Sequence, residues 1–376
     1  MLAMTLAACG GSPSTDAPAS TAGDEQTVEA TAVAPAPVTE TEPEPRPPEP
    51  PPRVAHVPAD VSQPITDHAR TALASLPTES IPAPDEFYYR SNERRHDLVA
   101  QAIDGLGGAT IGVGSDQLYT LAAMSNASLI VGVDYDNRIP MMHAIYQVLV
   151  PISASPSELI AQFDDEHERA TLTRLENELP DDEKVKILRI FRRIRTQMHT
   201  YLSRVARRIR DGRPASWLAD DALYAHVRAL FVGGRVVART GDVTGTTTLR
   251  SVARTLAELE VPVGVLYFSN AEQFFTYGDE FRANIAALPV TERTLVVRTI
   301  RHAEIPNAED DRWHYVVQDF SDFTGRLESG AYPRSTLLLE DLVASEAHIG
   351  EGLSRLNAQV PRTVLERRAA RAAQTN

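Results

Sequence analysis

The chain has 376 residues, a formal net charge of −14, 43% hydrophobic residues and a single cysteine. One cysteine excludes an internal disulfide, and the acidic balance argues against a nucleic-acid binder, which needs a basic surface. The length suits one large domain or two small ones.

The charge is uneven. Between residues 10 and 84 eleven Asp/Glu face three Arg, so −8 of the total sits there and about −6 on the rest. At the N-terminus, Leu6-Ala7-Ala8-Cys9 followed by Gly10-Gly11-Ser12 resembles a bacterial lipobox. That implies a lipid-modified Cys9 as the first residue of a mature lipoprotein, tethered to a membrane surface without a spanning helix. The implied address is the bacterial cell envelope, on the periplasmic or cell-surface side. Residues 1–8 are short for a signal peptide and lack a basic n-region, so the true start is expected upstream. The alternative is a chance match in a soluble protein. No later stretch is long and apolar enough to cross a bilayer.

Residues 10–84 hold sixteen of the twenty-six prolines, and 43–52 are nearly all Pro and Glu. Such a stretch buries too little apolar surface to offset its ordering entropy, which predicts a disordered or polyproline-like linker. About 75 flexible residues span roughly 50 Å, so its expected job is reach. Within it, residues 65–76 carry a faint helical pattern.

The folded body is predicted over 85–361. A helix over 94–106 carries Leu98, Val99, Ala102 and Ile103 on one face, with Ser91 as the expected N-cap. Glu93 serves either that helix's dipole or the ligand cleft. Residues 110–113 form a β-branched strand, with Gly112 and Gly114 at its end and Ser115 or Asp116 capping a helix. Residues 128–133 are a nearly all-apolar strand, as a sheet covered on both faces requires. It ends on Asp134, twenty residues after Gly114. Strand, glycine turn, helix, strand and acid is the layout of a nucleoside-binding β-α-β unit. Glycines admit the ligand to the backbone, the helix start offers free N–H groups, and the carboxylate holds ribose hydroxyls.

A helix over 138–150 carries His143, read as structural. Residues 157–210 read as a charged helical insertion between the two halves of the sheet, placed to cap the cleft. Its apolar face is Ile187, Phe191, Ile194, Met198, Leu202, Val205 and Ile209. Arg192, Arg193, Arg195, Arg207 and Arg208 lie opposite, read as a solvated face rather than an anion site. Strands follow at 235–239, 263–268, 294–299 and 313–318, with helices at 249–259 and 279–288. Short elements cover 337–344 and 347–356, and a basic tail runs over 362–376. Alternation of this kind predicts an α/β, doubly wound Rossmann-like sheet. Its ligands bind at the carboxyl ends of strands, where Asp116, Asp134, Asp242, Asn270 and Glu272 all fall.

Ser91-Asn92-Glu93, the run Gly112 to Thr120, Asp134, His143, Gly241-Asp242-Val243-Thr244-Gly245, Tyr267 to Gln273 and Asn284 to Pro289 together resemble an uncharacterised bacterial family that includes leptospiral lipoproteins. The likeness runs in patches over residues 87–301. It implies a fold like that of class I S-adenosylmethionine-dependent methyltransferases. Three positions depart from those enzymes: Thr110 stands where an acidic residue is usual, Asp116 where a third glycine is common, and Ser269-Asn270-Ala271-Glu272 near the place of the Asn/Asp-Pro-Pro-aromatic motif. The dinucleotide pattern GxGxxG fails at Gln117.

No zinc motif, GxSxG elbow or body thiol occurs, so no metal is expected. Two readings follow. In one, the body transfers a methyl group from S-adenosylmethionine. Glu93, Gly112, Gly114, Asp116, Gln117 and Asp134 hold the cofactor, and Asp242 or Glu272 positions or deprotonates an acceptor that Asn270 orients. In the other, a non-catalytic surface lipoprotein binds a small molecule or a protein partner through the same cleft.

Overall fold

A computed structural model describes residues 60–345, 350–357 and 360–373. Cys9, the lipobox and the first fifty residues of the expected linker lie outside them. From the N-terminus come α1 (Asp67–Ala74), α2 (Asp97–Ile103), β1 (Ala109–Gly112), α3 (Asp116–Met124), β2 (Leu129–Asp134) and α4 (Arg138–Ile152). Then follow α5 (Pro156–Ala161), α6 (Glu168–Glu178), α7 (Asp181–Val205) and a small hairpin of β3 (Ile209–Arg210) with β4 (Arg213–Pro214). The second part holds α8 (Asp221–Val232), β5 (Val236–Thr240), α9 (Thr248–Glu258), β6 (Val263–Ser269) and α10 (Asp279–Ala286). The last elements are β7 (Val290–Ile300), β8 (His314–Asp319), α11 (Phe320–Glu328), α12 (Thr336–Ser345), β9 (Leu353–Leu356) and α13 (Arg362–Ala373).

Seven strands form one sheet in the order β5-β2-β1-β6-β7-β8-β9. The first five are parallel, β8 runs antiparallel to β7, and β9 follows β8. This is the doubly wound Rossmann-like α/β fold. Strand residues alternate between two cores. Val265 and Tyr267 face α3, α4 and α8, while Leu266 and Phe268 face α9, α10 and α11. Period-two alternation with both sides apolar is the pattern that helices on both faces demand. The order turns back between β1 and β6, which makes the carboxyl end of β1 a switch point where such sheets bind ligands.

Several expectations change. Residues 60–84 belong to the folded body up to at least Glu79, so the linker ends earlier than residue 84. Leu73 of α1 and Leu76 just after it are buried. Arg239 donates to the carbonyls of Leu73, Ala74 and Leu76, and the Glu79 amide donates to the Thr240 carbonyl at 2.9 Å. α2 begins at Asp97 with no side-chain cap, because the Ser91 hydroxyl instead accepts from the Glu93 amide. The helical insertion lies in the connection between α4 and β5, inside one half of the sheet rather than between its halves. Arg195 is not on a solvated face. It is buried, donating to the Phe163 carbonyl and to Asp165 and Glu168. Ile209 leaves the apolar stripe for the hairpin and is exposed. α8 and α11 add to the expected elements.

Candidate functional site

The glycine turn is built by close approach. Gly112 pairs with Tyr267 across β1 and β6. A Cβ there would collide with the Tyr267 carbonyl oxygen and lie 2.8 Å from Tyr267 Cβ. Gly114 takes φ +83°, a left-handed conformation that favours glycine. Its amide donates to Asp134 Oδ2 at 2.8 Å, and the Asp136 amide donates to Oδ1 at 2.9 Å. The turn and the acid of the expected nucleoside-binding unit are therefore in direct contact. Burial lifts the Asp134 carboxyl to about 6, with a further push from the Asp136 charge, against the two amides that favour ionisation.

His143 holds the turn from below. Its Nε2–H donates to the Gly114 carbonyl at 3.0 Å and its Nδ1 accepts from the Tyr119 hydroxyl at 2.7 Å. Burial lowers its pKa to about 4, so the ring is neutral and structural, as read from the sequence. His143→Ala leaves a buried hydroxyl without its partner and frees the turn. The expected loss is about 2 kcal/mol of stability, measured by urea unfolding.

The other expected cofactor residues are placed as follows. Gln117 folds back over Gly114, and its Oε1 accepts from the Ser115 amide at 3.2 Å. Asp116 is buried, with the Tyr201 hydroxyl of α7 donating to its two oxygens at 3.0 and 2.8 Å. Burial raises its pKa, while Tyr201, Arg208 and His96 favour the charged form. The insertion thus reaches the cleft through Tyr201, and Arg208 beside it donates to the Glu93 carbonyl at 3.0 Å. The Ser91 amide donates to the Tyr201 hydroxyl at 3.2 Å.

Glu93 is neither a dipole partner nor free for a ligand. Its Oε1 accepts from the Ser269 and Thr299 hydroxyls at 2.6 and 2.8 Å. Its Oε2 accepts from His96 Nε2 at 3.0 Å and from the Tyr267 hydroxyl. Burial alone would raise this carboxyl, but the hydrogen bonds from His96, Ser269 and Tyr267 outweigh it and hold it below the usual range. Sequence reasoning missed His96, Tyr201 and Thr299 as site partners, and it gave Tyr267 and Ser269, although they stand in a motif it singled out, no role. Of those missed, only His96, three residues after Glu93, has a local signal.

The acceptor set does not assemble. Glu272 is buried, with Tyr277 donating to Oε1 and Arg298 Nε to Oε2, each at 2.5 Å. Buried and with each oxygen already accepting an internal donor, it is not presented to a substrate, which argues against its expected role. Asp242 caps its own turn, accepting from the Thr244 amide and hydroxyl at 2.8 and 2.6 Å. It follows β5, three strand steps from Asn270 after β6, a separation of about 14 Å. One acceptor atom cannot touch both. Asn270 remains half-buried at the end of β6, after Ser269, which takes φ 50°. A left-handed non-glycine residue stores strain, a feature common at working sites.

A strap passes over this edge. Arg138 donates to the carbonyls of Pro84 and Glu86, both at 2.7 Å, with Phe87 stacked against its guanidinium. The Ser115 hydroxyl donates to the Tyr89 carbonyl at 3.5 Å. Among the described residues no group of three or more His, Cys, Asp or Glu is arranged to hold a metal ion, and no helix is long and apolar enough to cross a membrane.

No curated protein matches the chain. Residues 88–357, spanning β1 to β9 with the whole insertion and the glycine turn, match a family of proteins described as a domain of unknown function, DUF7790, and the chain belongs to that family.

Proposed function

We propose that the body binds a nucleoside-bearing cofactor at the β1–α3 turn, that this cofactor is S-adenosylmethionine, and that the reaction is methyl transfer. The observation that carries the reading is the 2.8 Å contact between the Gly114 amide and Asp134 at the switch point. Each Asp134 oxygen accepts one amide and keeps a lone pair for a ribose hydroxyl. Gly112 lets β1 pack against Tyr267 and Leu118 closely enough to hold the turn in place. Methyl transfer is an in-line displacement, so holding donor and acceptor in line supplies much of the rate. A base is needed only when the nucleophile carries a proton. In this reading Asn270 orients the acceptor at the end of β6.

Titration of the full chain with S-adenosylhomocysteine tests it by calorimetry. Binding is expected to be saturable and abolished by Asp134→Ala. The ribose requires the ionised carboxylate, so affinity is lost as pH falls through 6. Between pH 7 and pH 5 the decline should be about tenfold. No heat at millimolar ligand, or a flat pH profile, rules the nucleoside reading out.

A second reading, a binding protein without catalysis, is favoured by the engagement of Glu93 and Glu272 in internal hydrogen bonds. It predicts that no methylated product forms from any acceptor, and absence of S-adenosylhomocysteine binding at millimolar ligand favours it. Both readings carry the proposed envelope anchor at Cys9, supported by the lipobox resemblance. Mass spectrometry of the N-terminal peptide tests it: a diacylglyceryl or triacyl mass on Cys9 is expected, and an unmodified Cys9 behind an intact Met1 sinks it.

A further inference from the structure

A groove of about 940 Å³ opens between residues 87–94, the C-terminal end of α7 with the β3 strand, and the loop 309–312. Seven arginines line it: Arg90, Arg94, Arg204, Arg207, Arg208, Arg210 and Arg312. Three acidic residues do too, but two of them are already engaged. Asp310 pairs with Arg95 and Arg210. Asp311 Oδ2 accepts from the amides of Arg94 and Arg95 at 2.7 and 3.1 Å and from the Tyr315 hydroxyl at 3.0 Å. Among the described residues, Arg90, Arg94, Arg204, Arg207, Arg208 and Arg312 form no ion pair with a carboxylate. Glu309 and the Asp311 carboxylate, which is held only by neutral donors, are the acids of the lining left to face them.

Six guanidinium groups without an ion-pair partner on one concave surface repel one another, and the carbonyls of Asp310 and Glu93, which accept from Arg94 and Arg208, and the more distant Asp116 charge offset only part of that cost. The C-terminal dipole of α7 relieves only the residues of its last turn, Arg204 above all. Guanidinium forks match phosphate oxygens in pairs, and Tyr88 and Tyr89 add ring faces to the wall. The floor is Tyr201, over whose ring Arg208 lies with its Cζ 5.6 Å from the centroid.

We propose that this groove binds a small molecule bearing two or more phosphate groups. The groove adjoins the β1–α3 turn through Tyr201 and Tyr89, which bond Asp116 and Ser115, but its arginines lie outside the turn and the proposal stands whether or not a nucleoside binds there. Its bounded volume suits a small molecule rather than a polymer. A membrane lipid headgroup offers the same phosphate chemistry, and the experiment separates the two sources.

The full chain is titrated with tripolyphosphate by calorimetry, in parallel with a double variant Arg204→Ala/Arg207→Ala. Both side chains are exposed, so the fold is expected to survive the change. A control variant, Arg192→Ala/Arg193→Ala, removes the same charge from exposed positions of α7 outside the groove. Saturable binding that weakens at least tenfold in the groove variant and less than twofold in the control is expected. Equal weakening in both variants means general charge attraction and overturns the site. So does the absence of binding at millimolar tripolyphosphate in low salt. In a second arm the chain is sedimented with phosphatidylglycerol or phosphatidylcholine vesicles. Capture by phosphatidylglycerol that depends on Arg204 and Arg207, with no response to tripolyphosphate, overturns the small-molecule assignment in favour of a lipid.

Discussion

Glu272→Ala is expected to remove about 3–5 kcal/mol of folding stability, the cost of leaving a buried charge without its partner. Arg298 is only 1% exposed. Its Nε meets Glu272, its Nη1 meets Gln318 Oε1 at 2.6 Å, and its third nitrogen has no partner among the described residues. With Glu272 gone, the guanidinium keeps one polar neighbour and the face of Phe323, whose centroid is 5.0 Å away. The Tyr277 hydroxyl loses its acceptor as well. A double variant, Glu272→Ala with Arg298→Met, should recover most of the loss, because the stranded charge goes with it. Guanidinium unfolding of the three proteins measures this. A single variant within about 1 kcal/mol of the parent would return Glu272 to the candidate catalytic groups, since a dispensable buried pair is free to work.

The second large effect is Gly112→Ala. The new methyl group meets the Tyr267 carbonyl oxygen, which is backbone in the neighbouring strand and cannot swing aside. β1 and β6 must part, and Leu118 Cδ2, 2.9 Å from the methyl position, must move with them. Overpacking at a rigid contact of this kind costs about 3 kcal/mol. The same shift displaces Gly114 from Asp134, so any ligand of the turn should be lost in the surviving folded fraction. Thermal unfolding and S-adenosylhomocysteine calorimetry on the variant read the two consequences separately. Unchanged melting would mean that the strands are not held as closely as the backbone geometry requires.

The central β-α-β unit was legible because its signals are local. An all-apolar strand over residues 128–133, two glycines and an acid at fixed distances need no distant partner to be recognised. Long-range pairing was not legible. Glu272 and Asp134 look alike in the chain, each an acid beyond a strand, yet Asp134 meets a backbone amide of the turn and Glu272 meets Arg298, twenty-six residues on. Asp116 looked like a helix cap, and its partner Tyr201 lies eighty-five residues away in the insertion. Arg195 shares the helical spacing of Arg192 and departs from it only because Asp165 and Glu168 come up beside it. The proline-rich composition likewise hid the ordered stretch behind it. Leu73 and Leu76 are two apolar residues in a polar segment, and only the sheet they cover reveals why they are there.

That stretch has a consequence for how molecules of this protein meet. An outermost strand with open amide and carbonyl groups invites another chain to add to the sheet. Beside β5, residues 60–80 stand in the way, held by Arg235 on the Asp60 and Gln63 carbonyls and by Arg239 on those of α1. A fragment cut to the family's own limits, beginning at residue 88, would lose this guard and bare Val237 with it. The domain as defined by its relatives is therefore smaller than the piece that keeps its own margin from fusing with a neighbour's.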